Sequence, residues 1–153
     1  MLLWKRYVNN KMAAMRFLHL QQYSHRLNLL YVFCHQINAY LQELAQNYPQ
    51  LVTLETIGQS YQGRDMIVIK ISSGGGGTRP VVLVDAGIHA REWVAPGMAL
   101  YIINQLVENN AANSALTDAV DWYILPVLNP DGYEYSHTTV SKIYSHPLNT
   151  NDS

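Results

Sequence analysis

A histidine, an arginine and a glutamate fall within four residues of one another in the stretch GIHAREWVAP, Gly87 to Pro96. His89 and Glu92 stand at i and i+3, positions that share a face in a tight turn or a first helical turn. A neutral imidazole nitrogen and a carboxylate placed that way can meet on one divalent cation at about 2.0–2.2 Å each. Two such donors do not complete a catalytic zinc site, which takes three protein ligands and a water. On spacing alone the competing reading is a capped loop in which Arg91 pairs with an acidic neighbour, an exposed contact of little energetic consequence.

The elements that must position these residues are legible on either side. PVVLVDA, Pro80 to Ala86, is almost wholly apolar. That is the pattern of a central strand covered on both faces, and it places the triplet beyond the strand's C-terminal end, where ligands bind in open α/β sheets. After it, WVAPGMALYIINQLVEN reads as a helix with Met98, Ile102, Gln105 and Leu106 on its stripe, ended by Asn109 and Asn110. Upstream, Ile37, Tyr40, Leu41, Leu44 and Ala45 mark an amphipathic helix stopped by Pro49. LVTLETI and DMIVIKIS read as strands joined by the turn YQGR, with Arg64 and Asp65 paired across it. SSGGGGTRP is a flexible connection without a phosphate-loop pattern. Asp121 to Tyr133 is an apolar strand running into the turn tetrad Asn129-Pro130-Asp131-Gly132, and after Tyr135 no period remains. The expected fold is α/β: a mixed, largely parallel sheet flanked by helices.

Composition bounds the function classes. The 153 residues suffice for one domain with a core of its own. A net charge of −1 gives no electrostatic case for nucleic acid or an anionic membrane surface. Cys34 is the one cysteine, so no internal disulfide forms. The apolar run Leu27 to Cys34 is far short of the roughly 20 residues a spanning helix needs. Lys5, Arg6, Lys11 and Arg16 interrupt any signal-peptide core near the N-terminus. The first 32 residues read as a marginal extension with a loose stripe through Met12, Met15, Phe17 and Leu18.

GIHAREWVAP resembles the signature of the zinc metallocarboxypeptidases of the digestive carboxypeptidase A/B type. INAYLQELAQNYPQLV, IGQSYQGRDMIVIKIS, TRPVVLVDAGIHAREW and WYILPVLNPDGYEYSH resemble the same family in the same order. The resemblance runs from Gln36 to about Thr138 and implies the N-terminal part of the catalytic domain, an incomplete version of that fold. It divides the chain into a divergent extension (1–34), a partial catalytic domain (35–138) and a divergent tail (139–153). It implies zinc as cofactor, His89 and Glu92 as the first two metal ligands, and Arg91 as a substrate-binding residue beside the metal. Trp93 is implied to pack under the site, and Asn129 to Gly132 to lead toward further substrate-binding residues. The implied activity is metal-assisted hydrolysis of C-terminal peptide bonds. The implied partners are peptide or protein C-termini and a propeptide or inhibitor, with neither nucleic acid nor membrane, and the implied location is extracellular.

The tail TTVSKIYSHPLNTNDS departs from the family, with Tyr144 about where an oxyanion arginine is expected. The third zinc ligand, that arginine and the general-base glutamate find no match here, so no catalytic residue is assigned. His137 and His146 are the downstream histidines, and either could serve as a third ligand only in a rearranged fold, the lesser reading. Glu134 has nothing to recommend it as a replacement base. An oxyanion donor is worth about 10²–10³ in rate and a general base about 10²–10⁴. The expectation is a truncated, weakly active or inactive family member. The alternative is a non-catalytic isoform that binds peptide, inhibitor or propeptide.

Overall fold

The structure is a computed structural model describing residues 33–74 and 79–144, the last six as backbone. The readings of the N-terminal stripe, of most of the glycine run and of His146 lie outside the described residues.

Helix α1 (Cys34–Asn47) forms where the apolar spacing predicts it and buries Cys34, Ile37, Leu41 and Leu44. The Gln36 side-chain oxygen accepts the Phe33 N–H at 2.9 Å, occupying one of the amides a helix start leaves open. The helix stops at Asn47, ahead of Pro49. Strands β1 (Val52–Gln59) and β2 (Asp65–Ile71) form an antiparallel hairpin whose register shifts between Thr56 and Gly58. Its turn closes through Gly63, at φ +75°, and through the Ser60 N–H bonded to the Arg64 carbonyl at 2.9 Å.

Strand β3 (Val81–Asp85) is followed by α2 (Val94–Val107), α3 (Asn110–Ala119) and strand β4 (Asp121–Leu125). The sheet order is β1-β2-β4-β3. It is a mixed sheet with helices, as expected, but the parallel character is confined to the β3–β4 pairing; β1–β2 and β2–β4 run antiparallel. One sheet face carries Val52, Ile69, Ile71 and Ile124, all buried. α1 lies against β1, and α2 and α3 lie against β4. They bring Ile37, Leu41, Leu44, Ile103, Leu106 and Val107 into this core. Full burial of each such side chain is worth about 1.5–3 kcal/mol.

The expectation that β3 is central and covered on both faces does not hold. It is an edge of the described sheet, and Val81 and Leu83 are 50% and 69% exposed. An apolar strand advertises that it can be covered, whereas the cover must come from elements elsewhere in the chain. The same face holds a shallow hollow of ≈ 440 Å³, bordered by Ile57, Lys70, Leu83, Asp85, Tyr123 and Leu128 among others. Neither His89 nor Glu92 borders it.

Three further readings are corrected. The α2 stripe is rotated: Ala99, Leu100, Ile103, Leu106 and Val107 are buried, while Met98 is 55% exposed. So many positions of this helix are apolar that periodicity could not fix the inward side. α3 was not foreseen, because NAANSALTDA buries only Thr117 and carries no apolar stripe. Asn129 to Gly132 is not an isolated turn but the start of α4 (Pro130–Tyr144). Asn129 Oδ1 accepts the Gly132 N–H at 3.0 Å and Pro130 occupies the first helical position, where a missing N–H is harmless.

Arg64 likewise pairs with Asp131 at the head of α4, not with Asp65. Asp131 also accepts the Ser60 hydroxyl at 2.7 Å and the Gln62 N–H at 3.0 Å. Desolvation pushes the Asp131 carboxyl upward, but the bonds from Ser60, Gln62 and Arg64 and the Arg64 charge prevail and hold it below its usual value.

Candidate metal centre

The segment after β3 leaves the sheet through Ala86, whose N–H still bonds the Leu125 carbonyl at 3.0 Å. Gly87 then takes φ +66°, a conformation glycine adopts without strain. A β-carbon there would meet Pro96 Cγ and Val127 Cα at 3.2 Å and the Pro126 carbonyl oxygen at 3.3 Å. Glycine lets the chain turn there while lying close against the β4–α4 connection. The Glu92 N–H bonds the His89 carbonyl at 3.1 Å and the Ala95 N–H bonds the Glu92 carbonyl at 2.9 Å, so residues 89–92 form a turn that feeds into α2.

That turn brings His89 and Glu92 together. His89 Nδ1 lies 3.1 Å from Glu92 Oε1, on side chains 73% and 59% exposed. Among the described residues the side-chain contact of this turn is therefore His89 with Glu92, not Arg91 with an acidic neighbour. Arg91 is exposed beside them. Two ligands of a tetrahedral zinc, each bound at about 2.0–2.1 Å, lie roughly 3.3 Å apart. The separation of these two donors fits that edge, and imidazole nitrogen with carboxylate oxygen is a donor set zinc accepts. Among the described residues no group of three His, Cys, Asp or Glu side chains is placed to hold a metal.

The other candidates are occupied elsewhere. His137 is buried in an aromatic cluster, stacked on Trp93 at 4.3 Å, edge-on to Tyr133 at 4.5 Å and tilted against Phe33 at 5.8 Å. Burial pushes its pKa below the usual histidine value, partly opposed by the Glu134 charge. Glu134 accepts the Cys34 N–H at 3.2 Å and so ties the start of α1 to α4. The Cys34 thiol faces the Pro130 carbonyl at 3.6 Å, and burial, reinforced by Glu134, pushes its pKa up to about 12. It is an inert core thiol. Burial likewise raises the Tyr133 phenol to about 12.

Trp93, stacked on His137, donates its indole N–H to Ser136 Oγ at 2.9 Å. Ser136 drew no attention in the sequence, although a signal was present. Once Asn129-Pro130 is recognised as a helix start, Asn129, Gly132 and Ser136 fall at i, i+3 and i+7 on one helical face.

Comparison with known proteins places this chain in a family. Residues 37–151 match the family described as zinc carboxypeptidase. Carboxypeptidase B of Astacus astacus is 45% identical over 103 residues, covering 67% of this chain and 34% of that protein. Zinc carboxypeptidase A 1 of Drosophila melanogaster is 49% identical over 106 residues, covering 66% of this chain and 25% of that one. The carboxypeptidase A of Helicoverpa armigera superposes with a TM-score of 0.65 at 39% identity, over 69% of this chain and 26% of that structure. Bovine thrombin-activatable fibrinolysis inhibitor, solved in complex with tick carboxypeptidase inhibitor, superposes with a TM-score of 0.62 at 30% identity, over 71% and 34%.

The chain belongs to the zinc carboxypeptidase family. Its matches span about a quarter to a third of the length of these curated relatives.

Proposed function

We propose that this chain is the N-terminal part of a zinc carboxypeptidase catalytic domain, in which His89 and Glu92 supply two of the metal ligands and Arg91 binds substrate. The observation that carries the reading is the 3.1 Å approach of His89 Nδ1 to Glu92 Oε1 on a turn at the end of a sheet strand. Zinc held there would polarise a carbonyl and make its bound water acidic. The residues of this chain have simpler tasks. His89 presents a nitrogen lone pair, Glu92 a carboxylate, and Arg91, exposed on the same turn, offers a guanidinium suited to a substrate carbonyl or carboxylate. The substrate class is a peptide or protein C-terminus, and the proposed location is extracellular. No described helix is long and apolar enough to cross a membrane.

With two candidate ligands among the described residues, this chain by itself would be a weak or inactive catalyst, because three are needed to hold a catalytic zinc. The second reading is non-catalytic binding of peptide, inhibitor or propeptide, favoured by the exposed apolar side chains of β3. Calorimetric titration with zinc separates the two. Zinc binding far weaker than a three-ligand site gives, and lost in His89→Ala and Glu92→Gln, is expected. Absence of binding refutes the metal reading and leaves the second. Release of a C-terminal residue from a blocked dipeptide by the isolated chain would overturn the assignment of weak activity.

A further inference from the structure

His89 and Glu92 are largely exposed, yet their donor atoms meet at 3.1 Å. An exposed pair contributes only about 0–1 kcal/mol, too little to order a loop against the entropy of its backbone. Something else fixes residues 87–93. The bonds that do so come from the β4–α4 connection and one face of α4. The Asn129 N–H donates to the Gly87 carbonyl at 3.1 Å. The Asn129 side-chain amide donates to the Ile88 carbonyl at 3.3 Å. Ser136 Oγ lies 2.9 Å from the Ala90 carbonyl and accepts the Trp93 indole N–H at 2.9 Å. The carbonyls on either side of His89 and the residue after Glu92 are thus held by Asn129, just ahead of α4, and by Ser136 on it.

Two details show that the contact is built closely. The Asn129 amide is shared: its oxygen caps α4 through the Gly132 N–H while its nitrogen reaches Ile88. A β-carbon at Gly132 would lie 2.6 Å from Asn129 Nδ2 and 3.0 Å from Ala90 Cβ, so only glycine lets the helix start press against the loop. Ser136 has one proton to donate, divided between the carbonyls of Ala90 and Tyr133 at 2.9 and 2.7 Å, and one N–H to accept.

We infer that Asn129 and Ser136 are positioning residues for the metal centre: they hold the carbonyls flanking His89, and the indole next to Glu92, so that the two donor atoms stay at ligand spacing. The inference rests on the metal reading above, but it concerns the loop and is measurable without metal. Asn129→Asp keeps a good N-cap oxygen for α4 while replacing the donor to Ile88 with an acceptor. Ser136→Ala removes the hydroxyl and Ser136→Thr restores it.

Two measurements on the whole chain test this. The first is amide hydrogen exchange in the absence of metal, with Ile69 as a core control. Exchange at Glu92 is expected to quicken about tenfold in Asn129→Asp and in Ser136→Ala, with Ile69 unchanged and Ser136→Thr close to the parent. The second is titration with cobalt(II), read by visible absorption. Direct hydrogen bonds to metal ligands are worth about 10–100-fold in affinity; Asn129 and Ser136 bond the backbone beside the ligands, so a loss of up to about 10-fold and an altered cobalt spectrum are expected in both disruptive variants. A parent chain that binds no cobalt, but whose Glu92 exchange responds as expected, refutes the metal reading and supports the positioning of the loop. Unchanged Glu92 exchange in both disruptive variants overturns the inference, whatever the metal does.

Discussion

The turn at Gly87 predicts an ordered series of glycine substitutions. Gly87 has φ +66°, and an alanine there meets three atoms at 3.2–3.3 Å, two of them backbone atoms of Pro126 and Val127. That backbone has little room to yield, since the Leu128 N–H is bonded to the Ala86 carbonyl at 2.8 Å and Val127 is buried. The left-handed conformation alone is unfavourable by about 1–2 kcal/mol for a residue with a β-carbon, and overpacking adds about 1–3 kcal/mol. Gly87→Ala should therefore lose about 2–5 kcal/mol. Gly63 has φ +75° but nothing within 4 Å of its β-position, so Gly63→Ala should lose only the conformational part, about 1–2 kcal/mol. Gly97 lies inside α2 with open space around it and no positive φ, so Gly97→Ala should gain about 0.5–1 kcal/mol. Urea unfolding followed by tryptophan fluorescence, with the denaturant slopes compared, measures all three. If Gly87→Ala is no worse than Gly63→Ala, or if Gly97→Ala destabilises, the assigned backbone conformations are wrong.

Two further outcomes follow from burial and exposure. The buried imidazole of His137 has a folded pKa held below its unfolded value of 6.5 by desolvation. The unfolded chain takes up that proton first as pH falls, so the associated stability is present above pH 6.5 and is lost as pH drops through the folded value. The thermal midpoint should fall between pH 7 and pH 5, and His137→Phe should flatten that slope; an unaltered slope contradicts the assignment. Leu83, on the exposed edge strand, should tolerate Leu83→Lys within about 0.5 kcal/mol while light scattering at high concentration declines, because a charge blocks edge-to-edge pairing. Undiminished scattering would place self-association elsewhere.

The sequence by itself determined the local elements whose apolar residues repeat with one clear period. Ile37, Leu41 and Leu44 gave α1, and the runs at 51–57, 65–72, 80–86 and 121–133 gave the strands to within a few residues, the last running on into the connection and α4, because side-chain patterning is a local property. It also gave the approach of His89 to Glu92, since three residues of turn suffice to bring them together.

Tertiary structure alone decided which strand lies at the edge, which side of α2 faces inward, and how polar α3 is held. It also decided that Arg64 reaches Asp131 across 67 residues of chain. The bonds from Asn129 and Ser136 to the turn that carries His89 and Glu92 belong in the same class, with partners 41 and 46 residues away. Such contacts leave no mark on local periodicity. They depend on which surfaces the sheet order brings together, and that order is settled by long-range packing.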